Sequence, residues 1–554
     1  NKGVKNTMYL EMFLGAVAGL SLFLYGMKLM ADGLQKFAGD KLKSIVRTLT
    51  KNRLMAVLVG MFVTMVIQSS SATSVMVVGF VNASIMTIEQ AVGVIFGANI
   101  GTTITGQMVS FNLSQWAPIA IGTGILMGAI VKNPKMKELA EILVGFGILF
   151  IGMNYLKDAL APLKDLPAFT EWIVNYGHNP LFGVALGFIM TLALQSSSAT
   201  IGVLIALASQ GVLPFTTALY IIFGDNIGTC TTALISSLGT SRRGKQVAVI
   251  HLSINIIGTI YFMLFLTGIL TNIVTSMNAT DIARQIANAH TIFNIVNVIV
   301  LFPFANLLVK LADFIIPEPQ VETMEEEEKL VSYLDKRILV TPSIALQNTM
   351  YEFAAMSHAA DKTLTYAIDA IRLRSQEKIE KAFASEQKVN QFQKAIVEYL
   401  VEISQQNVST TDQETIDELF STANDVERIS DHAENIADFA KAVLERDIVL
   451  DEKTLSELEH VFDLVQKGFA MSIDTLSTGN LVKVKEVITI EREIDRLKIE
   501  IRDKYMKRMN KGIASADSGI FVMDLLSNLE RISDHFRNIG ETVQRLGRPV
   551  VVTE

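Results

Sequence analysis

The hexapeptide QSSSAT stands at residues 68–73 of this chain and returns unchanged at residues 195–200. A second pair of motifs keeps the same offset, because GANIGT at 97–102 returns as GDNIGT at 224–229. Two different motifs that repeat in one register indicate a duplicated unit. The N-terminal half of the chain is therefore expected to consist of two related copies.

Both serine motifs interrupt apolar sequence. The chain has 554 residues, of which 50% are hydrophobic and 19% charged, and its mean hydropathy of +0.37 is too apolar for a soluble protein of this size. Several apolar runs reach the roughly 20 residues that cross a bilayer, whereas 54–88 and 181–208 are broken by the motifs. We predict one membrane copy at 1–137 and, at 138–316, a second copy followed by a final transmembrane helix, with the broken stretches forming re-entrant helical hairpins.

Basic residues cluster in alternate loops of the membrane region. The segments 32–53, 132–138 and 240–246 together hold twelve lysines and arginines, which by the positive-inside tendency face the cytoplasm. This predicts an N-terminus outside the cell and seven crossings, three in each copy and one in a final helix. Copies with three crossings are inserted upside down relative to each other, as in many secondary transporters. No cleavable signal peptide is expected, because the first apolar run carries Glu11 and is too long.

The composition changes after Pro317, where an acidic linker is expected at 317–329. Residues 1–317 hold 19 Lys and Arg against 12 Asp and Glu, whereas residues 318–554 hold 29 against 44. The region 330–554 is poor in proline and glycine, which predicts a soluble domain of helices alone. The fold class of the whole chain is therefore predicted to be all-α.

This soluble region also repeats. The block ERISDH at 427–432 returns at 530–535, so two bundles of three helices are predicted. The six helices are expected at 343–373, 376–407, 412–445, 451–478, 480–511 and 516–545.

The serine motifs are the first candidates for a binding site. Each combines a carboxamide, three hydroxyl groups and backbone amides freed by a helix break, and these groups can hydrogen-bond an oxyanion. Helix N-termini at the breaks would add positive dipole ends. The alternative role is close packing or bonding back to helix carbonyls, but the identical recurrence favours binding. The candidate oxyanion ligands are Gln68, Ser69, Ser70, Ser71, Gln195, Ser196, Ser197 and Ser198.

Hydroxyl and carbonyl oxygens near the motifs are hard ligands that suit Na⁺. Neither hairpin tip has a Lys or Arg near it, so a dianion held there needs cations beside it. Asp225, which replaces Ala98 of the first copy, is ionisable in an apolar stretch and predicts a cation site, unless it lies at a wet helix end. The candidate sodium ligands are Thr73, Asn99, Thr102, Thr103, Thr200, Asp225, Asn226 and Thr229.

Three further features of the membrane region bear on these candidates. Cys230 takes the place of Thr103, so the two copies are not expected to coordinate ions identically. The glycines of the two GxNIGT motifs have a plain alternative role, the flexing of a helix. His290 and Asn294, one turn apart, are interpreted as an interhelical hydrogen-bonding pair.

In the soluble region, carboxylates recur at the spacing of one helix face. The first repeat keeps four of them, whereas in the second repeat Arg537 replaces the third. Such a face suits hard cations such as Mg²⁺, Mn²⁺ or iron, and a solvated acidic stripe is the alternative. The single cysteine and the lack of an HExxH spacing argue against a disulfide framework and a zinc hydrolase. The candidate metal ligands are Glu427, Asp431, Glu434, Asp438, Glu530, Asp534 and Glu541.

These motifs resemble those of a known family. The QSSS segments at 68–71 and 195–198 are similar to the signature of the type II sodium/phosphate cotransporters, and the GxNIGT segments resemble its companion motif. Residues 330–554 resemble a PhoU-like domain with acidic Glu-x-x-x-Asp helices. The resemblance implies Na⁺-coupled movement of inorganic phosphate and a phosphate site where the two hairpins meet. It also implies a cytosolic regulatory domain that binds metal ions.

We therefore predict a sodium-coupled inorganic phosphate transporter that works by alternating access. It is expected in the cell membrane, which is the inner membrane where a cell has two, with its C-terminal domain in the cytoplasm. The expected partners are phosphate, Na⁺ and lipid, and no nucleic acid is expected. A homo-oligomer and a cytosolic regulatory partner both stay open. The alternatives are another oxyanion, phosphate export, or a membrane-tethered phosphate sensor. An enzyme is not expected, because neither serine motif has a histidine or lysine nearby in sequence to act as a base.

Overall fold

The computed structural model describes residues 2–47, 52–317 and 333–547, apart from positions 84, 112, 178, 447, 449 and 450. Within these residues the chain forms helices and no strand, which confirms the predicted all-α class. The predicted acidic linker at 317–329 lies, beyond Pro317, outside the described residues.

The described chain divides into two compact units. The first contains the residues up to 317 together with 335–343, and the second contains 333–334 and 344–547. The sequence assigned all of 330–554 to the soluble domain, but contacts group the segment 335–343 with the first unit.

The first unit contains helices of very different lengths, from 8 residues in α5 to 46 in α1. Its helices are α1 (Lys2–Arg47), α2 (Arg53–Ile67), α3 (Ser70–Asn82), α4 (Ile88–Gly101), α5 (Thr103–Ser110), α6 (Ala117–Ile130), α7 (Pro134–Leu160), α8 (Pro167–Tyr176), α9 (Pro180–Leu194), α10 (Ser197–Ser209), α11 (Phe215–Ser237), α12 (Arg242–Tyr261), α13 (Thr267–Met277), α14 (Ile282–Leu301) and α15 (Ala305–Ile315). The hairpins predicted at 54–88 and 181–208 are helix pairs, α2 with α3 and α9 with α10.

Six helical stretches of the described chain are long and apolar enough to cross a membrane. They are Met8–Gly39, Ile88–Ser110, Pro134–Asp165, Phe215–Ser237, Arg242–Met277 and Ile282–Ile315. The third crossing predicted for the first copy corresponds to Ser114–Ile130, an apolar stretch shorter than these six. A bent pair, Pro167–Tyr176 with Pro180–Leu194, turns by 118° at its break and would bring the count to seven.

The glycines of the GxNIGT motifs permit close helix packing. Gly97 lies inside α4 and Gly224 lies inside α11. A Cβ atom on Gly97 would overlap the carbonyl oxygen of Val57 on α2, and one on Gly224 would overlap that of Val184 on α9. Only glycine lets the backbones approach so closely. These two glycines therefore seat each hairpin arm on the helix that follows it, which is a different role from flexing a helix.

The first long helices of the two copies, α1 and α7, pack against each other along their lengths. Gly15 of α1 lies against Ala159 of α7, whereas Gly33 lies against Ile142. Residue numbers rise along one helix as they fall along the other, so the two equivalent helices are antiparallel.

The second unit is a bundle of six helices that begin and end within three residues of the predicted bounds. They are α16 (Pro342–Leu373), α17 (Gln376–Ser404), α18 (Thr410–Glu445), α19 (Glu452–Thr478), α20 (Leu481–Asn510) and α21 (Ala516–Leu546). Side-chain caps fix where several of them start, as when Ser409 accepts from the N–H of Asp412. Apolar residues at helical spacing, such as Leu419, Ala423 and Val426, form the buried face of α18.

Candidate functional site

Each serine motif lies where one short helix stops and the next begins. Gln68 and Gln195 end α2 and α9 in the left-handed conformation, with φ of 59° and 52°. Together with Arg374 they are the only non-glycine residues with positive φ in the described chain, and this conformation costs about 1 kcal/mol or more. Each Gln amide donates to a carbonyl oxygen three residues earlier, that of Met65 or Leu192. These hydrogen bonds cap the helix ends and offset part of the cost.

The second residue of each motif caps the helix that follows. Ser69 Oγ accepts from the backbone N–H of Ala72 at 3.1 Å, and Ser196 Oγ accepts from that of Ala199 at 3.2 Å. The other N–H groups of the first turn have no acceptor within their own helix, and the helix dipole adds positive potential there. Both motifs therefore present donors that suit an anion.

One cavity of about 330 Å³ is lined by both motifs. Its motif residues are Gln68, Ser69, Ser71 and Ala72 from the first copy and Ser196, Ser197 and Ser198 from the second. Two of the predicted oxyanion ligands, Ser70 and Gln195, are not on its wall. The fold thus brings together two segments that are widely separated in the sequence. The volume is within the range of small-molecule sites.

Hydroxyl groups connect the two copies beside this cavity. Ser70 Oγ donates to Thr102 Oγ1 at 3.3 Å, and Thr102 Oγ1 lies 3.5 Å from Ser197 Oγ. Ser71 Oγ donates to the carbonyl oxygen of Thr229 at 3.5 Å. These contacts are long for hydroxyl hydrogen bonds and therefore weak. A ligand that offers better acceptors could draw the hydroxyl groups toward itself.

A charged pair on α1 also lines the cavity, and sequence reasoning missed it. Lys28 and Asp32 lie one helical turn apart on its wall, followed by Gln35. The expectation that no Lys or Arg lies near the motifs is wrong. Lys28 is far from Gln68 in the sequence, but both residues line the same cavity. Polar residues at one-turn spacing in an otherwise apolar helix were the available signal.

Asp225 is fully buried in α11. Its Oδ1 atom accepts from Thr191 Oγ1 at 2.5 Å, and Thr191 Oγ1 lies 3.0 Å from Thr200 Oγ1. Its Oδ2 atom has no hydrogen-bond partner in the described part of the chain. Complete burial rules out the wet helix end that was the alternative. A buried carboxylate oxygen without a partner is costly unless a cation or a proton meets it.

Most other predicted sodium ligands donate hydrogen bonds within their own copy. Each of five donates from its side chain to a carbonyl oxygen one turn earlier, which leaves hydroxyl or carboxamide lone pairs available. These five are Thr73, Thr103, Thr200, Asn226 and Thr229. Asn99 is held instead by two side chains of α12, since its Oδ1 lies 3.2 Å from His251 Nε2 and its Nδ2 donates to Asn255 Oδ1 at 3.2 Å.

The prediction of an interhelical hydrogen bond for His290 and Asn294 is wrong. Asn294 Nδ2 donates to the His290 carbonyl oxygen within the same helix. Neither ring nitrogen of His290 has a hydrogen-bond partner among the described residues. On the Nδ1 side the imidazole faces Gly106 of α5, which has no side chain that could serve as a partner.

Residues 335–340, named the strap here, are held to the first unit by polar contacts. Asp335 accepts from Asn82 Nδ2, at the end of α3, at 2.9 Å and pairs with Arg337 at 2.8 Å. Arg337 Nε donates to the carbonyl oxygen of Ser236 on α11 at 2.8 Å. The strap therefore joins the hairpin arm of the first copy to a helix of the second.

The apolar part of the strap reaches the cavity. Ile338 is fully buried, and its side chain would lie 3.1 Å from a Cβ atom on Gly79 of α3. Val340, two residues further on, is part of the cavity wall. One short segment thus contacts both α3 and the space between the serine motifs.

In the second unit, the acidic face of α18 lies opposite a carboxylate of α17. Burial and the charges of Glu434, Asp431 and Glu427 raise the pKa of Glu386 to about 7. Burial and neighbouring carboxylates also raise the pKa values of Glu427 and Glu434. Within the described residues, no three Asp, Glu, His or Cys side chains converge closely enough to hold a metal ion. The mutual repulsion fits a face that a hard cation would stabilise, and metal binding stays a prediction.

The equivalent face of α21 is partly neutralised. Glu530 pairs with Lys498 at 3.0 Å. Arg537 pairs with Glu491 at 2.7 Å and with Glu541 at 3.4 Å. These contacts place fixed positive charge beside the carboxylates of the second repeat of this unit.

Both units match the profile of a known protein family. The profile described as Na⁺/Pi-cotransporter matches residues 22–158 and again 165–299. The profile of the PhoU domain matches residues 353–440 and again 458–543. Each profile matches twice, in agreement with the duplications seen in the sequence.

Relatives match either the membrane region or nearly the whole chain. YqeW of Bacillus subtilis is 29% identical over 53% of this chain and 95% of its own. YjbB of Salmonella typhimurium, whose name provisionally assigns it to inorganic phosphate export, is 21% identical over 95% of this chain and 96% of its own. Sodium-dependent phosphate transport protein 2A of Oryctolagus cuniculus is 35% identical over 17% of this chain and 14% of its own.

A solved structure is similar to the second unit. PhoU from Pseudomonas aeruginosa is 23% identical and covers 37% of this chain and 97% of its own, with a TM-score of 0.35.

Proposed function

Because this chain belongs to the Na⁺/Pi-cotransporter family and continues into a PhoU domain, we propose that it couples the movement of inorganic phosphate to Na⁺ across a bilayer. The family is one of phosphate transporters, and the apolar helices make the chain a membrane protein. The observation that carries the proposal is the cavity lined by both serine motifs. A site built from two copies can be exposed to either side when one copy moves against the other. The antiparallel packing of α1 and α7 supports inverted copies.

Phosphate is held, in this proposal, by the hydroxyl groups of the motifs and by the N–H groups that start α3 and α10. Lys28 adds one positive charge to the wall and Asp32 adds one negative charge. The two formal charges cancel, so a phosphate dianion in the cavity still lacks a net counter-charge. Partly desolvated charge is costly unless it is compensated. Co-bound Na⁺ supplies that compensation.

Asp225 is the proposed centre of a sodium site in the second copy, where its Oδ2 atom is a hard oxygen ligand. A chain of hydroxyl groups leads from it to the cavity. Thr191 donates to Asp225, Thr191 and Thr200 lie 3.0 Å apart, and Thr200 donates to the Ser196 carbonyl oxygen at 3.2 Å. Ser196 caps α10 and lines the cavity. Sodium bound at Asp225 would therefore stabilise the second motif in the conformation that binds phosphate.

A second candidate function is phosphate export, and one observation favours it. Relatives of the YjbB type match almost the whole chain, PhoU region included. The cavity chemistry serves transport in either direction, because direction follows the ion gradients and stoichiometry. Transport of another oxyanion and a sensor that binds phosphate without moving it are the remaining rivals. We also propose an inner-membrane location with the N-terminus outside, and a cytosolic PhoU domain that regulates transport through bound metal, a protein partner or a homo-oligomer.

Radiolabelled phosphate flux in proteoliposomes tests the proposal. We expect uptake that an inward Na⁺ gradient drives and that a K⁺ gradient of equal size does not. Sulfate in excess should compete weakly, whereas arsenate should compete well because its shape and charge match those of phosphate. Flux that ignores Na⁺ would reject the coupling, and saturable binding without flux would favour the sensor.

A further inference from the structure

A groove between α16 and α17 of the second unit is lined by cationic side chains. Its volume is about 350 Å³. The lining residues are Ala355, His358, Ala359, Lys362 and Tyr366 on α16, and Lys381, Ala384, Ser385 and Lys388 on α17. Both sets recur at three- and four-residue spacing, so each lies on one face of its helix.

Small side chains keep this groove open. Ala355, Ala359 and Ala384 leave space between the helices, and Ser385 Oγ donates to the Ala359 carbonyl oxygen at 3.0 Å, which holds the two helices together. The long side chains stand around this small-residue floor. The groove is therefore built by packing, and its volume is within the range of small-molecule sites.

The charge of the groove is opposite to that of its surroundings. Residues 318–554 carry 29 Lys and Arg against 44 Asp and Glu, yet three lysines and a histidine line the groove and no carboxylate of the described chain does. Lys381 is paired with Glu377 at 2.5 Å. For Lys362 and Lys388, no ion pair or hydrogen bond is found within the described part of the chain. Two ammonium groups thus remain for an anion from outside the chain.

We propose that this groove binds a small soluble ligand that carries phosphoryl groups. Lysine is a strong point-charge partner for phosphate oxygens, and His358 and the Ser385 hydroxyl can add hydrogen bonds. The alanine floor and the Tyr366 ring offer apolar contact, which favours a ligand with an organic part, as in a nucleoside polyphosphate. The site lies in the soluble unit and is separate from the serine cavity, so it does not rest on the transport proposal.

Calorimetric titration of the full-length protein in detergent tests this site with three probes: inorganic phosphate, pyrophosphate and ATP. The groove variant carries Lys362→Gln with Lys388→Gln. The control carries Lys394→Gln with Lys467→Gln, two exposed lysines on α17 and α19, and has the same net charge. Both variants keep the serine cavity, so a difference between them reports the groove alone.

We expect saturable binding of at least one probe to the wild type, with ATP the tightest. The groove variant should bind it about tenfold more weakly or worse, while the control should change less than about twofold. Pyrophosphate binding as tight as that of ATP would assign the site to the phosphoryl groups alone. Absence of saturable binding for all three probes would overturn the proposal. An unchanged affinity of the groove variant for every probe that binds would also overturn it, because the binding would then lie elsewhere. An equal loss in both variants would overturn it as well, because a general field effect would then explain the binding.

Discussion

Thr102 Oγ1 of the first copy lies 3.5 Å from Ser197 Oγ of the second, and Ser70 Oγ donates to the same Thr102 atom. Three hydroxyl groups from two copies therefore form one chain beside the cavity. A hydroxyl group both donates and accepts, so an anion can turn such a chain toward itself while each oxygen keeps a partner. Neutral hydroxyl groups add no fixed charge, so in the proposed transporter the charged neighbours Lys28, Asp32 and Asp225 are expected to set the response of the site to ions.

Lys28→Gln is expected to weaken phosphate affinity about tenfold, because a hydrogen bond from a charged group to an anion contributes roughly 1.5–3 kcal/mol. Asp32→Asn should instead strengthen phosphate affinity, since it removes a negative charge from the same wall. The concentration of phosphate at half-maximal uptake, measured at saturating Na⁺, gives both values. Lys310→Gln, an exposed lysine on α15, is the control. If Lys28→Gln and Asp32→Asn shift the value in the same direction, the charged pair does not act on phosphate directly.

Asp225→Asn should raise the Na⁺ concentration for half-maximal uptake by about tenfold or more, because a neutral amide is a much poorer ligand for a hard cation. Thr191→Val removes the hydroxyl group that donates to Asp225 and should have a smaller effect in the same direction. The readout is uptake at fixed phosphate over a range of Na⁺. Asp158→Asn, at an exposed position on α7, is the matched control. An unchanged Na⁺ dependence in Asp225→Asn would remove this residue from the sodium site.

Asp335→Ala should release the strap, because it removes the acceptor for Asn82 of α3 and also the ion pair within the strap that orients Arg337 toward the Ser236 carbonyl oxygen. Partly buried charged hydrogen bonds contribute about 1.5–3 kcal/mol, so amide hydrogen exchange across 336–341 should speed up about tenfold or more. Mass spectrometry of peptides from the full-length protein measures this rate. Val340→Ala leaves the polar contacts in place and should keep the exchange slow. Equal exchange in wild type and Asp335→Ala would mean that these contacts do not hold the strap.

The two halves of the PhoU region are expected to load metal unequally. Asp431→Asn should remove most of the Mn²⁺ or iron bound by the protein, since the Arg428 guanidinium beside that face is mostly exposed and lies no closer than 3.5 Å to its carboxylates. Asp534→Asn should remove less, because Lys498 and Arg537 partly neutralise the equivalent face. Elemental analysis after reconstitution and desalting gives metal ions per chain. Equal losses in the two variants, or a metal-free wild type, would reject this assignment.

Much of the fold could be predicted from local pattern. The helices of the PhoU region follow from apolar periodicity and capping residues, so their bounds were found to within three residues. The breaks at Gln68 and Gln195 follow from polar motifs inside apolar runs. The number of membrane crossings is harder to predict from the sequence. Ser114–Ile130 is at the limit of the length that spans a bilayer, and Pro167–Leu194 is bent. Neither length nor composition alone decides such cases.

The site was less accessible to sequence reasoning, for a spatial reason. The repeat indicated that the two serine motifs matter, and they line one cavity. Lys28 and Val340 also line it, but one lies well before Gln68 in the chain and the other far after it, and no spacing rule connects them. The Thr191 hydroxyl group that donates to Asp225 was likewise missed. Contacts between distant segments are set by packing, which a single sequence does not display.

The central claim is that both copies hold one phosphate ion together, and only with Na⁺. The most direct test is calorimetric titration of the detergent-solubilised protein with phosphate in Na⁺ and in K⁺, using a variant that lacks the PhoU-region groove lysines Lys362 and Lys388. We predict one phosphate per chain in Na⁺ and negligible binding in K⁺. Ser71→Ala and Ser198→Ala, equivalent positions of the two copies, should each weaken binding about tenfold, and Ser209→Ala should not. Two independent phosphate ions per chain, or the same affinity in K⁺, would contradict the account.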